Sequence, residues 1–215
     1  MLIEEIMIKD VTTLTTNNTV KDALQTMRNE KIRHVPILAT DGLVVGIVTD
    51  RDIKEIVPSS IAEIIDQSIY DTPLAEIMST NLIIGHPMDF VEEAAVIFYE
   101  NKIGALPIVS NNKLVGIITE TDLLYKYIEL TGAHQPGSQI EVRVPDVPGI
   151  LFEVSKVFHE QKTNVLSVLV YPDKTNETTK ILVIRINSMN PLNIIQGLKD
   201  SGFEVLWPNV PGIVI

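Results

Sequence analysis

Two seven-residue stretches hold the residue types in this chain best placed to do chemistry: Gly46-Ile47-Val48-Thr49-Asp50-Arg51-Asp52 and Gly116-Ile117-Ile118-Thr119-Glu120-Thr121-Asp122. Each sets Thr and Asp three residues apart, directly after an aliphatic run. Thr-x-x-Asp reads as a capping box, in which the hydroxyl accepts from a backbone N–H of a helix's first turn and the carboxylate reaches back to the cap. That chemistry needs no ligand. The same residues also suit a nucleotide: a glycine lets a ligand approach the strand, a helix N-terminus attracts phosphate, and an acceptor-only carboxylate matches a ribose diol. The two readings are compatible. No catalytic constellation competes with them, since His34, His86, His134 and His159 lack metal-ligand spacing and there is no Gly-x-Ser-x-Gly elbow, no Walker loop and no cysteine. The expectation is a binding protein with no metal and no catalytic residues. A hydrolase or transferase is the reading that these residues support least.

The elements that position these residues belong to an internal duplication. Residues 6–53 superimpose on 77–124: Ile6-Met7 falls on Ile77-Met78, Val20 and Ala23 on Val91 and Ala94, Lys31-Ile32 on Lys102-Ile103, and Val35-Pro36-Ile37 on Leu106-Pro107-Ile108. The offset is 71 up to the prolines and 70 from Gly46 onward, which places the length change at a hairpin tip, residues 39–42 and 110–113. Each unit reads as a short extended segment, an amphipathic helix (20–29 and 91–100), two strands around the hairpin, and a second helix from Thr49 or Thr119. In the second unit Val91, Ala94, Ala95 and Phe98 are predicted to face inward. The strands are aliphatic on both faces, so neither unit can cover them alone and the pair is expected to fold as one body. Between the units, Pro58-Ser59-Ser60 ends a helix, Thr72 is the predicted N-cap of the next, and Pro73 its first residue.

A Gly/Pro-bearing run at 132–138 reads as a linker. From Gln139 the order becomes strand, helix, strand, strand, helix, strand, a ferredoxin-like βαββαβ, whose first helix (149–161) presents Ile150, Leu151, Val154, Val157 and Phe158 on one face. The fold class is α/β (α+β), with repeat 1 at 1–60, repeat 2 at 61–131, the third domain at 139–208 and a tail at 209–215.

Charge narrows the partners. With 28 acidic against 17 basic residues the net charge is −11, and the basic residues are scattered, which excludes a nucleic-acid backbone as the partner. At 5% aromatic residues there are too few rings for single-strand stacking. The N-terminal Met1-Leu2-Ile3-Glu4-Glu5-Ile6 has no basic leader region, and no run of about 18 apolar residues occurs. A soluble cytoplasmic protein with no membrane partner is expected.

In order, spacing and duplication the first two units resemble a tandem CBS-domain pair (a Bateman module), with Gly46/Thr49/Asp52 and Gly116/Thr119/Asp122 matching that family's ribose-binding signature. The third segment resembles an ACT domain through Asp146-Val147-Pro148-Gly149 between strand and helix, with Asn164 at the start of the second strand. The order CBS, CBS, ACT is similar to the bacterial acetoin-utilisation family of the AcuB type. The resemblance implies an adenine nucleotide (AMP, ADP or ATP) as a regulatory ligand in two clefts shared between the units, with no cofactor required. Asp52 and Asp122 would accept from ribose hydroxyls, and Thr49 and Thr119 would contact ribose or phosphate. It further implies phosphate contacts from Lys31, Arg33, His34, Arg51 and Lys102, and nucleobase contacts from Thr13, Pro36, Ile84 and Pro107. The phosphate side is asymmetric: Lys31-Ile32-Arg33-His34 answers to Lys102-Ile103-Gly104-Ala105, and Arg51 to Thr121. Charge-assisted bonds are about twice as strong as neutral ones, so one site should bind phosphate better than the other.

By the same resemblance a free amino acid would meet Asp146, Gly149, Ile150, Leu151 and Asn164 where this loop lies at a dimer interface, with Asp146 able to cap the following helix and Pro148 to preset its first turn. The alternative for this segment is dimerisation alone. The function expected is a noncatalytic allosteric sensor, a homodimer that modulates a metabolic enzyme or pathway such as acetoin utilisation. The alternative is a regulatory subunit or dimerisation scaffold whose partner binding ignores nucleotide.

Overall fold

A computed structural model describes residues 1–57 and 67–208; the predicted helix end at Pro58-Ser59-Ser60 and the tail at 209–215 lie outside the described residues. The chain divides into two compact units, Met1–Leu124 and Tyr125–Ile215. The division falls inside a helix that the sequence reading places at the end of repeat 2.

In the first unit a 3-10 turn at Ile3–Glu5 precedes β1 (Leu14–Thr15), α1 (Val20–Glu30), β2 (His34–Leu38), β3 (Val44–Thr49) and α2 (Asp50–Ile56). Repeat 2 supplies α3 (Leu74–Ile77), α4 (Val91–Asn101), β4 (Ala105–Ser110), β5 (Lys113–Thr119) and α5 (Glu120–Thr131). β1 runs parallel to β2 and β2 antiparallel to β3; β4 pairs with β5, and a parallel bridge from Gly85 to Ile108 repeats the Leu14–Ile37 pairing of the first sheet. Both hairpins carry a bulge at the same place, Ile37/Leu38 and Ile108/Val109. The shorter tip turns on Asn111 and Asn112 at φ 49° and 61°, the positive pair that a two-residue hairpin loop needs and that Asn tolerates.

The repeats exchange their leading segments. Ile3 is fully buried with Ala94, Phe98, Leu106, Ile108 and Ile118 of repeat 2, where Ile6 and Met7 also pack. Leu74, Ile77 and Met78 pack with Val20, Ala23, Val35 and Val48 of repeat 1. Antiparallel bridges Ile8–Ile117 and Ile47–Ser79 tie each leader to the other repeat's second strand. The cores are therefore reciprocal, and the pair forms one body.

Two local expectations in this unit are corrected. Ala95 is exposed, and Ile97 packs on the core instead, because Ala94 and Phe98 centre the buried stripe of α4. Thr72 is not the N-cap of α3 and Pro73 is not its first residue. Pro73 is itself the N-cap, at ψ 141°, because an antiparallel bridge to Thr19 and the bond from Val20 N to Thr72 O keep the chain extended through it.

The second unit has β6 (Ser138–Pro145), α6 (Ile150–Glu160), β7 (Val165–Pro172), β8 (Thr179–Ile186), α7 (Leu192–Asp200) and β9 (Glu204–Trp207) in sheet order β7-β8-β6-β9. Alternate residues of β6 and β8, such as Ile140, Val142, Leu182 and Ile184, are buried with Val154, Phe158, Ile194 and Leu198 of the helices. Leu151 does not join them; it is 48% exposed, one position off the buried face.

At the β7–β8 turn, Asp173 is buried and accepts from Thr175 Oγ1 (2.6 Å), Thr175 N (2.8 Å), Arg143 Nε (2.6 Å) and Thr179 Oγ1 (3.0 Å). These donors, Thr175 foremost, hold its carboxyl well below the ordinary 3.8. A carboxyl depressed in the fold stabilises above its unfolded pKa, and that contribution fades as pH falls through about 4 toward the folded value. Asp173→Asn should therefore flatten the acid limb of the unit's stability, read by urea unfolding of wild type and variant at pH about 5, 4 and 3. Equal slopes in the two proteins would refute the assignment.

Candidate functional site

Both Thr–Asp pairs close as capping boxes. Thr49 N donates to Asp52 Oδ2 at 2.7 Å, Thr49 Oγ1 to the same oxygen at 2.9 Å, and Asp52 N to Thr49 Oγ1 at 3.2 Å. Thr119 and Asp122 repeat this at 2.8, 2.7 and 3.3 Å. Each hydroxyl has thus spent its single donor on the carboxylate, so it can accept from a ligand but has no hydrogen to give a phosphate. Each carboxylate takes both donors on Oδ2, which leaves Oδ1 for an outside hydroxyl. A third box, Thr19 with Asp22, caps α1 in the same way and stands outside the cleft, so the motif alone does not make a site.

Position makes the difference. Thr49, Asp52, Thr119 and Asp122 line one continuous cleft of about 810 Å3 between the repeats, with a set from each repeat. That volume lies within the ~300–1,000 Å3 of small-molecule sites. The same cleft gathers Lys31, Arg33, His34, Arg51 and Lys102. Lys31 and Lys102 terminate α1 and α4 in the left-handed conformation (φ 56° and 54°), which turns the chain toward the cleft at equivalent points of the two repeats. Lys31, Arg33, Arg51 and Lys102 are solvent-exposed and form no ion pair among the described residues. In an acidic chain these are four cations open to an anion. Asp50, also on the cleft lining, is paired with Lys54 at 2.7 Å, whose hydrogen bond holds its carboxyl below the ordinary range. Burial, helped by Arg33, pushes the His34 imidazole below its ordinary value against the pull of Asp50, Glu120 and Asp52.

The glycines of the signature serve another purpose than ligand approach. A Cβ on Gly46 would lie 2.5 Å from Met78 Sδ, and one on Gly116 2.5 Å from Met7 Sδ. The space is filled by the exchanged leaders, so the ligand-approach reading is corrected.

Of the four nucleobase residues only Pro107 reaches the cleft. Pro36 is buried opposite Ile47, Ile84 is 50% exposed outside the cleft, and Thr13 lines a separate depression of about 400 Å3 at the hairpin end of the strands. Their neighbours Thr12 and Ile83, equivalent across the duplication, line the cleft instead. In an extended segment a one-residue slip moves a side chain to the other face. The sequence reading also missed Ile8, Asp10, Ser79 and Asn81 on the cleft wall; the repeated Ile-Met leaders just before them were the available signal.

In the second unit the effector residues stand apart within one chain. Asp146 does not cap α6; its carboxylate pairs with Lys180 on β8, and Asp146 N donates to Thr178 O. The N-cap is Gly149, whose φ of 85° accounts for the glycine, and Pro148 stands in the turn before the helix. Ile150 packs on the core and Leu151 is exposed. Asn164 precedes Val165, which is level with Ser138 through Ile186, whereas Asp146 follows Pro145 at the opposite end of β6, roughly 26 Å along the strand.

The sequence matches the CBS domain over residues 3–59 and 74–129 and the ACT domain over 138–200. It is 31% identical over 121 residues to the CBS domain-containing protein YhcV of Bacillus subtilis, covering 56% of this chain and 81% of that one. Further relatives named as enzymes are matched over only 22–24% of their length. Among solved structures, a Vibrio cholerae protein designated an acetoin utilization protein (AcuB) is 33% identical with a TM-score of 0.55, over 63% of this chain and 96% of that one. The CBS domain pair of protein MJ0100, solved with 5′-methylthioadenosine and S-adenosyl-L-methionine, is 25% identical with a TM-score of 0.52, over 63% of this chain and 98% of that one.

Proposed function

Because the chain belongs to the CBS-domain family and carries an ACT domain behind its two CBS units, we propose that it is a noncatalytic sensor whose cleft takes an adenine nucleotide. The observation that carries this reading is the pairing, in one cleft, of two carboxylates with Oδ1 unengaged and four cations without ion-pair partners among the described residues. Asp52 or Asp122 accepts from the ribose hydroxyls of a bound nucleotide, Thr49 or Thr119 holds that carboxylate in place, and Lys31, Arg33, Arg51 and Lys102 are the cations available to its phosphates. The adenosine ligands of the MJ0100 pair support the ligand class. Occupancy acts by favouring one of two arrangements of the repeats, which a metabolic enzyme reads; the AcuB neighbour makes acetoin utilisation the first pathway to test. The ACT domain serves pairing and coupling between chains, and any amino-acid effector is bound where two copies meet.

Calorimetry with AMP, ADP and ATP tests this on wild type, Asp52→Asn and Asp122→Asn, substitutions that keep an oxygen for the cap but remove the charge. Loss of a charge-assisted bond should weaken binding at least about tenfold in one variant. Unchanged binding in both would sink the assignment. The scaffold reading draws on the outer face of α4, where Val96 and Tyr99 are 52% and 85% exposed and the repeat-1 counterparts are the polar Gln25 and Arg28. Enzyme binding that persists unaltered in the double variant would favour it.

A further inference from the structure

The two halves of the cleft are equivalent by duplication and unequal in space. His34 stands at the start of β2, and its counterpart at the start of β4 is Ala105; Arg33, the residue before it, answers to Gly104. The His34 ring crosses the seam between the repeats and lies on Gly104, so close that a Cβ there would come within 2.8 Å of Nε2 and 3.0 Å of Cε1. Ala105 ends at a methyl and has no ring to lay on Arg33. One half of the phosphate region is therefore filled by an imidazole and its mirror-related half is not. Charge divides the same way: Lys31, Arg33 and Arg51 face counterparts of which Lys102 alone is charged. Steric and electrostatic asymmetry thus favour the same half, two independent observations with one consequence.

We propose that His34 sets how many ligands the cleft holds: by occupying the space over Gly104 it bars a second nucleotide and leaves room for one, whose phosphates lie toward Lys31, Arg33 and Arg51. The proposal rests on the nucleotide reading above. His34 is suited to the task because burial keeps its ring neutral, so it fills space beside Asp50, Asp52 and Glu120 without bringing a charge that would attract a second anion. Gly104 is suited because it is the residue type that leaves the ring somewhere to lie. The backbone there has no positive φ, so Gly104→Ala tests the packing alone.

The experiment is calorimetric titration of ATP into wild type, His34→Ala and Gly104→Ala, with thermal unfolding of each to show that it is folded. Wild type should bind one equivalent per chain. His34→Ala should bind two, the second more weakly because, among the described residues lining the cleft, Lys31, Arg33 and Arg51 have Lys102 alone as a charged counterpart. Gly104→Ala should keep one equivalent, because the added methyl and the ring it meets still fill that half. Two equivalents in wild type, or one in both wild type and His34→Ala, would overturn the role of His34 while leaving nucleotide binding intact. No heat with any of the three proteins would overturn the nucleotide reading and this inference together.

Discussion

Ile3→Ala should cost about 3 kcal/mol and should loosen repeat 2, although Ile3 lies at the head of repeat 1. Ile3 is fully buried among Ala94, Phe98, Leu106, Ile108 and Ile118. Truncation leaves a cavity between α4 and the β4–β5 hairpin, and its walls are strands that relax little. The leader is held there by main-chain bonds as well, Ile3 N to Asp89 O at 2.9 Å and Ile8 N to Ile117 O at 2.9 Å, so it cannot slide inward to refill the gap. Leu74→Ala is the mirror experiment, because Leu74 is fully buried against α1, β2 and β3. Denaturant unfolding of the full chain gives the cost, and amide hydrogen exchange gives the place. Protection should fall first in α4, β4 and β5 for Ile3→Ala and in α1, β2 and β3 for Leu74→Ala. The reverse pattern, or a cost below about 1 kcal/mol at either position, would refute the exchanged cores.

This exchange marks the boundary of what the sequence made legible. Local information was enough for the duplication, since the offset of 71 aligns helix stripes and strands residue by residue, and for the capping boxes, whose partners are three residues apart. It was enough for the third domain, whose changes of period mark each element. What failed was each question decided by residues far apart in the chain. Nothing in Ile6-Met7 says which core it enters, so the space at Gly46 and Gly116 looked vacant when a methionine from the other repeat fills it. Asp146 looked like a cap because Lys180, its partner across the sheet, is 34 residues away. The nucleobase residues failed for a smaller reason. In an extended stretch without alternation, Thr12 and Thr13 cannot be told apart by face, nor Ile83 and Ile84, and one residue decides which reaches the cleft.

Gly46→Ala should destabilise the first unit by about 2 kcal/mol and leave nucleotide affinity unchanged, the opposite of what a ligand-approach glycine predicts. The added methyl meets Met78 Sδ at 2.5 Å and Cγ at 2.8 Å. A thioether is flexible, but Met78 is packed against the repeat-1 core and anchored by its own amide, which donates to Leu74 O at 2.9 Å, so it moves only by disturbing that core. Met78→Ala removes the obstruction and opens a cavity that the new methyl partly fills. The double variant should therefore be more stable than the sum of the single costs allows, by about 1 kcal/mol in a double-mutant cycle. At Gly116 the same cycle with Met7→Ala should recover less, because the third neighbour there is the carbonyl oxygen of Ile8 at 3.1 Å, main chain held in place by its bridge to Ile117. A full rescue at Gly116, or a fall in nucleotide affinity with unaltered stability at Gly46, would return the glycines to the ligand; partial rescue at unequal levels assigns them to the joint between the repeats.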